Sequence, residues 1–297
     1  MNEYLLALIL GIVEGLTEFL PVSSTAHLRI VEALLGISLT SGYWKMFSIV
    51  IQLGAILCLP FYFRARCSNF LATFPRGEKG DRTALTHPVG LTLIAFVFTA
   101  VPSLLMTKII GKHLESLVVM GCSLVIGGVI MWVVDRAYGA NDNRGADFLA
   151  FNKPTARVED MTLPQAIWIG LCQNLSAVFP GTSRSMSTIA AGQLVGMNRP
   201  SALEFSFFLS VPTMVAATLY DLWKSLRHHA GDASNIGIAP HNTQEWMVLA
   251  IGFAVSFIVA YAVVAWFMSW VRTRGFVPFA VYRLIVGAAV LIWGIRR

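Results

Sequence analysis

The sequence predicts an all-α polytopic membrane protein: six transmembrane helices plus two re-entrant helix–break–helix hairpins, arranged as an inverted-topology repeat. Three observations carry that reading. Of the 297 residues, 56% are hydrophobic and 13% charged, with mean hydropathy +0.67, whereas a soluble domain carries about 25% charge. Six apolar stretches, at about 44–63, 89–107, 117–134, 203–223, 246–270 and 276–294, each come close to the ~20 residues that cross a bilayer. Two further apolar segments, about 5–36 and 163–198, are each interrupted by a polar, proline-containing break. Neither half of such a segment is long enough to span. Each is therefore expected to enter and leave on one side, its irregular backbone packed in protein or lining a wet cavity.

The first hairpin is organised around Glu14–His27, which reads Glu-Gly-Leu-Thr-Glu-Phe-Leu-Pro-Val-Ser-Ser-Thr-Ala-His. Glu14 and Glu18 stand four residues apart, on one helix face. Pro21 cannot continue that helix and biases Leu20 away from the α region. Ser23, Ser24 and Thr25 are each suited to cap a helix restarting behind the break. The second hairpin carries Pro180-Gly-Thr-Ser-Arg-Ser-Met-Ser-Thr188. Gly181 relaxes the backbone after the proline, Thr182 or Ser183 can cap the next helix, and Arg184 falls in its first turn. An arginine at membrane depth marks a functional site by default. Beside a helix N-terminus and the hydroxyls of Ser183, Ser185 and Thr188, its natural partner is phosphate, which guanidinium binds bidentately. The Glu14–Glu18 pair repels that anion unless Mg2+, Ca2+ or a proton stands between them. Gln173 and Asn174 are expected to line the same cavity.

A hairpin followed by three spans occurs twice, over about 1–136 and 161–297, within one integral membrane domain covering 1–297. At a shift of 159, Gly11 meets Gly170, Glu14 meets Gln173, Leu16 meets Leu175, Thr17 meets Ser176, Pro21 meets Pro180 and Ser24 meets Ser183. At a shift of 158, Phe47-Ser48 meets Phe205-Ser206. The first register makes Met186 the counterpart of His27. An odd number of crossings per copy gives the copies opposite orientations, the architecture whose sites lie near the midplane where broken helices meet.

The net charge of +6 would suit nucleic acid, but in a chain this apolar it reads as Lys and Arg gathered in cytoplasmic loops. No nucleic-acid partner is expected. Arg64, Arg66, Arg76, Lys79 and Arg82 in loop 64–88, Arg136, Arg144, Lys153 and Arg157 in loop 135–162, and Arg272 and Arg274 near 271–275 outnumber Lys108, Lys112 and Arg227 opposite. That balance places those three loops in the cytoplasm and both termini outside, with Arg296 and Arg297 counting against it. The two long loops read as solvated connectors. Cys58, Cys67, Cys122 and Cys172 form no CxxC pair, which argues against a zinc site or a disulfide framework. The N-terminus carries Glu3 and no Lys or Arg before its apolar run, unlike a cleavable signal peptide. His87, His113, His228, His229 and His241 fall in or near loops and are assigned no chemistry. Arg283, inside the last span, reads either as the partner of a cavity acid or as an interfacial side chain.

Together the two break motifs resemble the two signatures of the undecaprenyl-diphosphate phosphatase family, the BacA-type bacitracin resistance proteins. The likeness covers nearly the whole chain, including Phe47–Gly54, Glu204-Phe-Ser-Phe and Phe276-Val-Pro-Phe-Ala-Val-Tyr-Arg. It implies hydrolysis of undecaprenyl diphosphate to the monophosphate, dependent on a divalent metal, which recycles the lipid carrier for peptidoglycan synthesis. It also implies a bacterial plasma (inner) membrane location, with the site opening to the periplasmic side. Glu14 and Glu18 match the family's paired acids, Ser23, Ser24 and His27 its hydroxyl-and-histidine group, and Ser183, Arg184 and Thr188 its phosphate-binding segment. Three positions depart from the pattern. Ala26 replaces the usual glycine before the histidine, Thr182 stands where an aromatic is common, and Met186 occupies a usual glycine position where it could crowd the phosphates.

On this reading Arg184, with Ser183, Thr188 and local amides, holds the diphosphate and stabilises the transferring phosphoryl group. Ser23, Thr25, Gln173, Gly181, Thr182 and Ser185 complete the substrate contacts. Glu14 and Glu18 carry the divalent ion, or one of them relays a proton. The attacking group is Ser24 activated by His27, His27 itself, or a water that one of them positions. The residues alone do not choose among the three. A polyprenyl-phosphate transporter without chemistry is the rival reading, since broken helices in inverted repeats are typical of transporters. The expected partners are the polyprenyl diphosphate lipid and the bilayer, with a homodimer left open.

Overall fold

The computed structural model describes residues 2–37, 42–106, 116–139, 155–227 and 240–296. Lys108, Lys112, His113, Arg144, Lys153, His228, His229 and Arg297 lie outside them. The helices in chain order are α1 (Glu3–Thr17), α2 (Ser24–Leu35), α3 (Gly42–Tyr62), α4 (Arg64–Thr73), α5 (Pro88–Leu105), α6 (Leu117–Tyr138), α7 (Leu163–Val178), α8 (Arg184–Leu194), α9 (Arg199–Arg227), α10 (Thr243–Thr273) and α11 (Val277–Arg296). Among the described residues the sole β pairing is an isolated bridge between Thr155 and Met197. Six helices, α3, α5, α6, α9, α10 and α11, are long and apolar enough to cross a membrane. They are the six stretches expected from composition. The pairs α1–α2 and α7–α8 flank the two breaks. With 15, 12, 16 and 11 residues, these four helices rise only about 16–24 Å, short of the ~30 Å hydrocarbon core.

The chain divides into two compact units, one of which comprises Met1–Phe19, Ser24–Tyr62 and Ser210–Ala265. Here Asn2 caps α1, its Oδ1 accepting from the Tyr4 N–H at 3.0 Å. The helix then buries Ala7, Leu10, Gly11, Glu14 and Gly15, at the three- and four-residue spacing of one face. Ala7 and Leu10 pack with Leu28 of α2, Phe47 and Ile51 of α3, and Val248 and Leu249 of α10. Small residues allow the close approach. A Cβ on Gly11 would stand 2.8 Å from Gly252 O, and one on Gly15 2.8 Å from Ser256 O, a contact type enriched where apolar helices associate. Ser256 donates to Ile51 O at 2.6 Å, which satisfies its buried hydroxyl inside the bundle.

The other unit comprises Leu20–Ser23, Phe63–Leu209 and Trp266–Arg297. The stretch that looked continuous in sequence is thus shared, the first break belonging to one unit and its flanking acids and Ser24 to the other. Within this second unit α6 and α11 pack antiparallel. Gly294 approaches Leu117, Gly121 approaches Leu291, Gly287 approaches Leu124, and Gly128 approaches Ala280. The α7–α8 pair doubles back, because Gln165 in the first turn of α7 donates to Val195 O just past α8 at 2.7 Å. Asp135, at the end of α6, is completely buried. It accepts from Arg199 Nε at 2.7 Å and Nη2 at 3.1 Å, from Gln193 at 3.1 Å and from the Phe276 N–H at 2.8 Å. A buried charge is tolerated only when paired and hydrogen-bonded, and this one ties together α6, α8, α9 and the turn before α11.

Loop 64–88 is more than a solvated connector. It contains α4, whose Arg66 pairs with Glu159 at 3.0 Å and with Glu204 of α9 at 2.5 Å. At its far end His87 caps α5. Its Nδ1 accepts from the Val89 N–H at 3.2 Å, and its Nε2 lies 3.2 Å from Thr73 Oγ1. Because Nδ1 accepts, the ring works as a cap only when neutral. Burial, with Arg82 adding repulsion, holds the His87 pKa below its ordinary 6.5. The cap's contribution is therefore full above that ordinary value and is lost as pH falls through the lowered one. Acidification is expected to remove about 1 kcal/mol of cap strength. This would appear as faster Val89 amide exchange in acid, a response that His87→Asn, a cap without a titrating ring, should abolish.

Candidate functional site

In the first unit α1 ends at Thr17, and Glu18 is its C-cap, the Glu18 N–H donating to Glu14 O at 2.9 Å. Both acids are buried, Glu14 completely, so the carboxylates extend the apolar stripe of α1 rather than facing water. Ser24 opens α2, and its hydroxyl donates to Glu18 Oε2 at 2.6 Å, the length of a hydroxyl–carboxylate bond. His27 follows three residues later, on the same side of α2, and is half-buried. Thr25 is exposed.

In the second unit Pro180 and Gly181 turn the chain after α7. Gly181 has φ 93°, and a β-carbon there would stand 2.6 Å from Met120 O. Conformation and space thus both demand glycine. The Thr182 N–H donates to Phe179 O at 3.1 Å and closes the turn. Ser183 caps α8, its Oγ accepting from the Met186 N–H at 3.4 Å and lying 3.0 Å from Ser185 Oγ. Arg184 is the first residue of α8. From Pro180 to Gln193 every residue is buried except Arg184. A residue that alone in this stretch is not fully buried, carrying a guanidinium at a helix N-terminus where amides and dipole add positive potential, suits an anion.

Other expected site residues are held by their neighbours. Thr188 Oγ1 shares a 2.6 Å bond with Ser206 Oγ of α9. Gln173 and Asn174 both bond to α5. Gln173 Nε2 donates to Thr99 Oγ1 at 3.2 Å, Asn174 Nδ2 donates to Phe98 O at 3.1 Å, and Asn174 Oδ1 accepts from Ser103 at 2.8 Å. Their polarity fastens α7 to α5. Met186 is buried, and a Cβ on Gly127 would come within 2.8 Å of its Cε. The glycine at 127 makes the room that the methionine takes.

The two breaks differ by one residue. Ser23 and Ser183 immediately precede α2 and α8, both with φ 73°. Such a conformation costs a non-glycine residue about 1–3 kcal/mol and clusters at functional sites. The shift across the caps is therefore 160 rather than the 159 that aligns the prolines, Gly181 being the added residue. Ser24 then corresponds to Arg184, and the counterpart of His27 is Ser187, not Met186. The two restarted helices carry a hydroxyl and a guanidinium, respectively, at the position after these serines.

Arg283 is neither the partner of an acid nor an interfacial side chain. It is completely buried and donates to four backbone carbonyls: Pro21, Ser123 and Gly181 at 3.1 Å and Leu124 at 3.3 Å. Asp135 and Arg283 are the site-supporting residues whose roles the sequence alone does not give. A charged residue within or bordering an apolar span is the one signal that marks both.

Among the described residues no group of three or more His, Cys, Asp or Glu is placed to hold a metal ion. Two carboxylates one turn apart do fit an ion that takes its remaining oxygens from phosphates and water, the usual arrangement for Mg2+.

Comparison with known proteins agrees with these features. The family model for bacitracin resistance protein BacA matches residues 7–289. An undecaprenyl-diphosphatase of Koribacter versatilis is 66% identical over 297 residues, covering 100% of both chains. One from Caldanaerobacter subterraneus subsp. tengcongensis is 39% identical over 98% of this chain and 96% of its own, and one from a Bradyrhizobium species is 40% identical over 98% and 97%. With a match that runs through both breaks and all six long apolar helices, the chain belongs to the BacA bacitracin resistance protein family.

Proposed function

We propose that this protein is an undecaprenyl-diphosphate phosphatase. It cleaves undecaprenyl diphosphate to undecaprenyl phosphate and orthophosphate, returns the lipid carrier to peptidoglycan synthesis and confers bacitracin resistance. Family membership and six apolar helices of spanning length support this reading. The observation that carries it is the 2.6 Å bond from the Ser24 hydroxyl to Glu18. A transporter of an anionic lipid needs no hydroxyl with a base in contact, whereas phosphoryl transfer does.

In the reaction, Arg184 and the first amides of α8 bind the diphosphate and stabilise charge on the transferring phosphoryl oxygens. Ser23, Thr25, Gly181, Thr182, Ser183 and Ser185 flank it, while Gln173 and Thr188 act through the packing of α7 and α8. Ser24 Oγ forms a bond to the terminal phosphorus as its proton passes to Glu18. The bridging P–O bond breaks, and undecaprenyl phosphate leaves with the electron pair. Water, giving its proton to His27, then displaces phosphate from Ser24, which takes its proton back from Glu18. A divalent ion, Mg2+ or Ca2+, on Glu14 and Glu18 would screen the diphosphate from these carboxylates when bound. The repeated element order and the loop charges support hairpins that enter a bacterial inner membrane from opposite sides, with the site opening to the periplasm.

The test is direct. Purified protein in detergent, given Mg2+ and undecaprenyl diphosphate, is expected to release orthophosphate, and rapid quench with terminally labelled lipid is expected to trap label on Ser24. Lipid movement across vesicles with no phosphate released would establish the transporter instead.

A further inference from the structure

We propose that Arg283 is a positioning residue: one buried guanidinium that clamps both helix breaks and sets the groups they present to the phosphoryl centre. The kinetic part of this inference rests on the phosphatase reading; the structural part does not.

Carbonyls in a broken helix have no partner one turn on, and in an apolar interior no bulk water replaces it. Arg283 supplies donors to both breaks. Nη1 reaches Pro21 O in the first break and Nη2 reaches Gly181 O in the second, each at 3.1 Å. The same group is anchored to the middle of α6, through Nη2 to Ser123 O at 3.1 Å and Nε to Leu124 O at 3.3 Å. A planar fork with five N–H groups can serve four carbonyls from three segments at once; an ammonium, with three donors around a point, cannot. Ser185 adds a second tie, donating to Leu20 O at 3.1 Å. Helix α6 is notched to admit the fork, since a Cβ on Gly127 would collide with Arg283 Nη2.

What the clamp holds follows from the numbering. Three residues on from Pro21 is Ser24, and three residues on from Gly181 is Arg184. In each break, therefore, a carbonyl three residues before the restarted helix is fixed by the same guanidinium, ahead of a serine at φ 73°. The α6–α11 interface does not require Arg283 for its packing, because glycine contacts run its whole length.

The experiment compares wild type, Arg283→Lys, Gly127→Ala and Arg283→Ala with and without free guanidinium, all in detergent. Arg283→Lys is expected to lower kcat about 100-fold, the scale of an ångström-level misplacement of reacting groups. KM should change far less, and the pH profile should keep its shape. Gly127→Ala, which keeps the arginine but displaces its fork, should move kcat in the same direction. Millimolar guanidinium should restore Arg283→Ala at least several-fold, whereas methylammonium should not. Independently of activity, amide exchange in 22–25 and 182–186 is expected to rise about tenfold in Arg283→Lys, roughly one lost hydrogen bond, with α1 and α7 unchanged. Loss of kcat only in proportion to unfolded protein, or exchange rising evenly along α6 and α11, would reduce Arg283 to packing and overturn the proposal. If wild type released no phosphate, the functional reading would fall alone, and exchange at the two breaks would still decide the clamp.

Discussion

Replacing Arg184 with alanine is expected to lower kcat for phosphate release about 1000-fold, the scale of losing an arginine that stabilises a transferring phosphoryl group. The reason lies in how this segment is built. Every residue from Pro180 to Gln193 is buried but this one. It stands at the first position of α8, behind a cap in which Ser183 accepts from the Met186 N–H. Amides and dipole alone retain some affinity for phosphate, so binding should weaken less than turnover. Arg184→Lys keeps the charge but not the two-pronged geometry, and should recover only part of the loss. Helix α8 is packed through its other residues, so the melting temperature should barely move. A kcat within a few-fold of wild type would remove Arg184 from the site.

Asp135→Ala is expected to destabilise the protein by about 3–5 kcal/mol, the cost of stripping one partner from a buried ion pair. The substitution leaves the Arg199 guanidinium, the Gln193 amide and the Phe276 N–H without the acceptor they share. Asp135→Asn keeps one carbonyl oxygen and should cost less. Thermal denaturation in detergent, followed by size-exclusion chromatography, measures both. Turnover per folded molecule should stay near wild type, since Asp135 touches the far end of α8 and not the end that bears Arg184. Loss of turnover without loss of stability would assign it chemistry instead.

Much of the fold is legible in the sequence, for a physical reason. A bilayer requires a run of about 20 apolar residues, and six such runs stand out against any background. The breaks are equally plain, because Pro21 and Pro180 interrupt apolar segments beside acids, hydroxyls and an arginine that such segments otherwise avoid. What escapes is what the backbone does. Arg283 is conspicuous in sequence, but its partners are carbonyls, which every residue has and no side chain advertises. Gln173 reads as a cavity residue because the repeat aligns it with Glu14, and the sequence gives no sign of the bond its Nε2 makes to Thr99. The extra residue at Gly181 shifts the register behind the second break, so Met186 falls opposite Ala26 and not His27. Helix α4 is hidden because it buries Phe70 and little else.

A double-variant cycle tests most directly the proposal that both breaks serve one phosphoryl transfer. kcat/KM for phosphate release would be measured for wild type, Glu18→Ala, Arg184→Ala and the two together. Glu18→Ala, which takes the base from Ser24, is expected to cost about 100-fold. Groups that act as a unit are strongly non-additive, so the double variant should be about as slow as Arg184→Ala alone. Losses that multiply in full would show two independent contributions and contradict a base and a cation that act as one unit.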